Sequence, residues 1–164
     1  MLPDGFHRLD PRFVHVQQIT GLITAGVFSA VALLALGSLG LAVGASWMVA
    51  GLGAGAWLAG SGLLAWWLWV WPRRAYAHAA YRLDAEGLEI RRGVIWRQVI
   101  NVPHTRVQHT DVSQGPIERS HDLSTLIVHT AGTEHAQVAL AGLSREDALA
   151  LRDQLLPRDG RDAV

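Results

Sequence analysis

The longest pattern in the chain is an uncharged one. No Asp, Glu, Lys or Arg lies between Arg12 and Arg73, and His15 is the one titratable side chain in that interval. A run of about 60 residues is too long for one bilayer-spanning helix, which takes about 20, and long enough for two. It predicts a first span over about 19–43 and a second over about 47–71, joined tightly at Gly44-Ala45-Ser46. Surface helices of soluble proteins are amphipathic, and no face of either span carries charge. A cleaved signal sequence would use Arg8 and Arg12 as its basic region. The apolar run exceeds a signal core, however, and a second span follows at once. The pair is therefore expected to stay in place as a transmembrane hairpin.

Beyond Arg74 the pattern shortens. Residues 75–80 lead out of the second span. Short alternating or β-branched runs follow at 81–83, 88–91, 94–102, 106–112, 123–130 and 134–140. Turn residues separate them: Asp84-Ala85-Glu86-Gly87 with Gly87 free to take positive φ, Arg92-Gly93, Pro103, Ser113-Gln114-Gly115-Pro116 and Ala131-Gly132-Thr133. This rhythm predicts an antiparallel sheet or barrel. Ser144 is then a good N-cap ahead of Glu146 and Asp147. Ala148, Leu149, Leu151, Leu155 and Leu156 form an apolar stripe at helical spacing, and Pro157 ends it. A lone amphipathic helix after a small sheet plugs its open end. The expected class is α+β. A cytoplasmic segment (1–16) precedes a two-helix transmembrane hairpin (within 17–72). A small β-barrel or sandwich closed by a helix (75–157) and a polar, disordered tail (158–164) follow.

Charge sets orientation and excludes several functions. The chain carries 14 basic and 14 acidic side chains, so a nucleic-acid binder, which needs a basic excess, is not expected. It has no cysteine, which excludes disulfides, thiolate metal sites and a Cys nucleophile. Arg8, Arg12, Arg73 and Arg74 rim the two outer ends of the hairpin, and the turn is uncharged. The positive-inside bias then puts both termini in the cytoplasm, with the protein in the inner membrane. Trp66, Trp67, Trp69 and Trp71 crowd the end of the second span and read as interfacial anchors beside Arg73 and Arg74. Gly51, Gly55, Ala59 and Gly62, and likewise Gly26, Ala30 and Gly37, make small-residue stripes suited to packing within the hairpin or to docking on another span. The spans hold no acid or base, so transport by this chain alone is not expected.

Several motifs resemble the bacterial pleckstrin-homology-like (PH-like) membrane protein family, in its two-span, single-domain type. They are Tyr81-Arg82-Leu83, Glu86-Gly87-Leu88, Arg91-Arg92-Gly93-Val94, Val102-Pro103, Leu126-Ile127-Val128-His129-Thr130-Ala131-Gly132 and Gly142-Leu143. The longest is Arg106-Val107-Gln108-His109-Thr110-Asp111-Val112-Ser113-Gln114-Gly115-Pro116-Ile117-Glu118-Arg119. The resemblance covers about half of the chain, over 75–156. It implies two near-orthogonal antiparallel sheets closed by a C-terminal helix. It implies no catalytic activity and supplies no catalytic residues, and a complex with a larger PH-like membrane protein would fit it. Many PH-like folds hold phosphoinositides on basic residues of the first hairpins; here the first turn, Asp84-Ala85-Glu86-Gly87, is acidic.

The candidate contacts are Arg91, Arg92, Arg106, Gln108, Gln114, Glu118 and Arg119. Alternation puts Arg106, Gln108 and Thr110 on one face of a strand, and Val107, His109 and Asp111 on the other. Gln108, His109 and Asp111 would bond to the turn that follows, where Gln114-Gly115-Pro116 makes a fixed corner. Arg91 and Arg92 would touch anionic lipid. A three-residue hairpin at 131–133 would set His129 opposite His135, a pair close enough for a metal ion but short of a third ligand. No cofactor is called for. The expected function is a non-catalytic interaction module at the bilayer surface, for protein partners or for other copies of the chain. Its rivals are an anionic-lipid sensor and a membrane-anchored metal sensor or enzyme using the histidines.

Overall fold

The computed structural model describes residues 5–44, 46–131 and 137–155. Two long helices, α1 (Arg12–Ala42) and α2 (Trp47–Ala77), extend well past the expected spans at their outer ends. Each has 31 residues and so measures about 46 Å, against a hydrocarbon core of about 30 Å. Pro72 lies inside α2. Asp10 caps α1: its carboxylate accepts the Arg12 N–H at 2.8 Å and the Arg12 guanidinium. That hydrogen bond holds the Asp10 carboxyl below the usual carboxylate range, although burial opposes it. Gly44, at φ +67°, ends the α1 side of the turn.

The chain divides into two compact units, residues 17–73 and residues 1–16 with 74–164. Within the hairpin unit the helices meet through polar clamps. Gln18 donates to the Trp69 carbonyl at 2.7 Å, Ser29 and Ser61 share a hydroxyl contact at 3.0 Å, and Trp57 donates to Ser29 at 3.1 Å. In hydrocarbon such bonds hold helices together where the hydrophobic effect cannot. A small residue meets the facing helix at Gly21, which is outside the expected stripes and lies against Leu68. No neighbour lies within 4 Å of where a Cβ would stand on Gly26, Gly37, Gly51, Gly55 or Gly62, so those stripes do not form the contact within the hairpin.

The other unit holds two antiparallel sheets. The first is ordered β1 (His7–Arg8), β2 (Ala80–Leu83), β3 (Gly87–Arg92), β4 (Gln98–Pro103). The second is ordered β5 (Val107–Ser113), β6 (Leu123–Thr130), β7 (Gln137–Ser144). They make a sandwich, not one closed barrel. Register aligns apolar rows across each sheet: Tyr81, Ile90 and Ile100 in the first, and Val112, Leu126 and Leu140 in the second. The helix α4 (Arg145–Leu155) adds Ala148, Leu151 and Leu155 to the same core. Ser144 caps it, accepting the Asp147 N–H at 3.0 Å.

The N-terminal segment is part of this core, which its sequence did not announce. β1 pairs with β2, Leu9 is buried with the strands, and Tyr76 donates to the Leu9 carbonyl at 3.0 Å. Phe6 lies beneath the guanidinium groups of Arg82 and Arg91, at 5.0 and 4.1 Å. Burial pushes the Tyr81 hydroxyl above its usual pKa, with the Asp147 charge adding to it. The expected strand over 94–102 begins only at Gln98, because residues 93–97 form the hairpin tip.

Candidate functional site: the β5 edge and the groove beside α4

A 3-10 turn at His104–Arg106 feeds β5, so Arg106 lies before the strand and not on it. Val107 pairs with Thr130, and His109 with His129. One extra residue, Gln108, is thus inserted on β5 as a bulge. The bulge changes the expected alternation. Val107 turns into the core with Thr110, while His109 and Asp111 face outward. Gln108 is exposed and has no hydrogen-bond partner among the described residues.

The corner after β5 is held by two other residues of the motif. Gln114 donates to the Leu123 carbonyl at 2.7 Å and accepts from Arg145 at 3.1 Å. Glu118, on the short helix α3 (Pro116–Ser120), accepts the Gly115 N–H at 2.7 Å and the Thr125 hydroxyl at 3.0 Å. Gln114 and Glu118 therefore fix the corner, the role expected of Gln108, His109 and Asp111.

Among the described residues β5 pairs with β6 alone, so its other edge is open. α4 runs beside it. Between them lies a cavity of about 230 Å³ lined by Thr110 and Asp111 of β5, Ser124 of β6, and Arg145, Leu149 and Arg152 of α4. The hydroxyls of Thr110 and Ser124 are buried with no hydrogen-bond partner among the described residues. A buried hydroxyl left unpaired costs about 1–3 kcal/mol, so both are poised to accept one. Sequence reasoning missed Ser124, Arg145 and Arg152. The two arginines share a helix face with Leu149, at spacings of four and three, a signal that helical periodicity carries.

The other expected contacts are dispersed. Arg91 is tied down by Glu89 at 2.7 Å and by Phe6. Arg92 bonds Gln98 across the hairpin at 3.3 Å, and Arg106 and Arg119 are exposed at separate places. On α2, Trp67 stacks on Trp71 at 5.0 Å and Arg73 lies 5.6 Å from the Trp69 ring, while Trp66 is exposed and Arg74 accepts the contact of His78 through its carbonyl. His129 pairs with Gln137 in the β6–β7 register, and His135, its expected partner, lies outside the described residues. His129 instead meets His109 and Asp111.

Two membrane-length apolar helices leading into a two-sheet sandwich with a closing helix define a membrane-anchored PH-like protein. The chain belongs to the bacterial PH domain family, whose model matches residues 17–159. It is 32% identical over 109 residues to the UPF0699 transmembrane protein YdbS of Bacillus subtilis. That match covers 66% of this chain and 64% of the relative, so the chain spans a little under two thirds of it. No solved structure matches. The protein is thus a membrane protein that carries a bacterial PH domain.

Proposed function

We propose that this protein is a non-catalytic interaction module at the cytoplasmic face of the inner membrane, and that an acidic, extended segment of a second protein adds to the β5 edge beside α4. The observation that carries this reading is the open edge with its adjoining groove, whose lining brings Arg145 and Arg152 together with two buried hydroxyls that have no partner among the described residues. Strand addition supplies main-chain hydrogen bonds, and pockets for alternate side chains supply selectivity. Arg152, now paired with Asp153 at 2.7 Å, and Arg145, bonded to Gln114, would turn to a carboxylate on the incoming segment. Other copies of this chain or a larger PH-like membrane protein are the partners to look for.

A photo-activatable residue at Leu149 is expected to form an adduct in native membranes that is lost in Arg145→Glu/Arg152→Glu. The same probe at Ser120 should form none. An adduct that survives the double charge reversal would remove the groove from the account. The orientation rests on the four rim arginines. Because the chain has no cysteine, Ser46→Cys should react with an impermeant maleimide in intact cells while Ser120→Cys should not. The reverse pattern would invert the topology.

A second reading has its own observation. The β3–β4 hairpin tip holds Ile95 and Trp96 at 73% and 83% exposure, between Arg92 and Arg97. Exposed aromatic and aliphatic groups flanked by arginine suit an anionic bilayer surface, at about 1 kcal/mol per basic residue.

A further inference from the structure

We propose that His109, Asp111 and His129 form a site for a divalent ion of the zinc class, on the outward face of the β5–β6 pair. The backbone builds it. Without the bulge at Gln108 the register that pairs Val107 with Thr130 would set His109 opposite Val128; the extra residue moves it opposite His129. Asp111 then lies on the same face, one diagonal step from His129.

The side chains follow. The two imidazole rings stack at 4.0 Å with planes 13° apart. Both present Nε2 to the same carboxylate oxygen: His129 Nε2 stands 3.3 Å and His109 Nε2 3.8 Å from Asp111 Oδ2. All three donor atoms lie within 4.8 Å of one another. A tetrahedral ion bonded at about 2.0–2.1 Å holds its ligand atoms about 3.3 Å apart. The His129–Asp111 spacing already meets that value. His109 has to close on Asp111 by about 0.5 Å, and its ring has to turn out of the stack with His129 so that the two in-plane lone pairs converge, for which its 59% side-chain exposure leaves room.

Two imidazoles and a carboxylate suit Zn²⁺ and its neighbours and, lacking sulfur, do not select a soft ion such as Cu(I). Three protein ligands leave a fourth position for water or for a donor from outside the chain. An ion here would pin β5 to β6 beside the open edge.

The test uses the full chain in detergent without a histidine tag, with Zn²⁺ in competition against a chromophoric chelator and Co²⁺ as an optical probe. The wild type is expected to bind one Zn²⁺ per chain and to give the intense visible absorption of tetrahedral Co²⁺. Asp111→Asn and His129→Gln should each weaken binding at least tenfold, a loss no smaller than those seen for residues that only support a ligand. His121→Ala, a half-buried histidine at the end of α3, should leave it unchanged. Metal-free melting curves establish that each variant is folded. Wild-type binding no tighter than that of His129→Gln, or equal loss in His121→Ala, would overturn the site.

Discussion

Leu126→Ala is expected to destabilise the PH domain by about 3 kcal/mol, within the range for emptying a leucine site in a packed core. Leu126 has no exposed surface and sits on β6, the central strand of its sheet. It is flanked in register by Val112 and Leu140 and belongs to the core that α4 completes. No neighbouring element can close the space without breaking a strand pairing. A domain of this size has about 5–15 kcal/mol to lose. The melting temperature of the full chain in detergent, read by near-ultraviolet circular dichroism, should fall by more than about 10 °C. A fall of under 3 °C would mean that the core is not packed as described.

Gly142→Ala should be nearly as damaging although it adds only a methyl group. Between Ser124↔Leu143 and Leu126↔Leu140, β7 has one residue more than β6, and Gly142 lies in that bulge at φ +82°. L-residues avoid this conformation, at a cost of about 1 kcal/mol or more. A Cβ there would also stand 2.5 Å from the Phe13 ring, and overpacking costs about 1–3 kcal/mol. The position matters because the Gly142 carbonyl accepts the Asp10 N–H at 2.8 Å, tying the N-terminal segment to the second sheet. The expected loss is about 2–4 kcal/mol. Phe13→Ala in the same chain should recover the steric part of it, so the double variant should be more stable than the sum of the single effects. Strict additivity would show that the clash is not the cause. By contrast Gly55→Ala, with no neighbour within reach, should leave the melting temperature of the domain unchanged.

These positions show what local pattern conveys and what it does not. The hairpin, the strands and the capped helix were legible because each rests on short-range signals: an uncharged run, turn residues, and Ser144 ahead of two acids. The bulge at Gln108 was not legible, because an inserted residue is defined only by the partner strand. It overturned the two-face reading of 106–111 and set His109 opposite His129, which makes the His109–Asp111–His129 cluster. The role of Phe6 and Leu9 was hidden for a similar reason. Two apolar residues in a short polar segment carry no period, and their burial depends on strands some 70 residues away. Arg145 and Arg152 could have been found from helical spacing, but the unpaired hydroxyls that give them a purpose appear only once β5, β6 and α4 are assembled.

Hydrogen–deuterium exchange offers the most direct measurement of the central claim, that β5 receives a partner. The protein would be compared in native-membrane discs that retain its neighbours and in discs of pure anionic lipid. Those amides of 107–113 that point away from β6 are expected to exchange fast in pure lipid and to become protected in native membranes, with Arg145→Glu/Arg152→Glu abolishing the protection. Equal exchange of β5 in both, with protection confined to 93–97 in pure lipid, would contradict it and leave the hairpin tip as the contact.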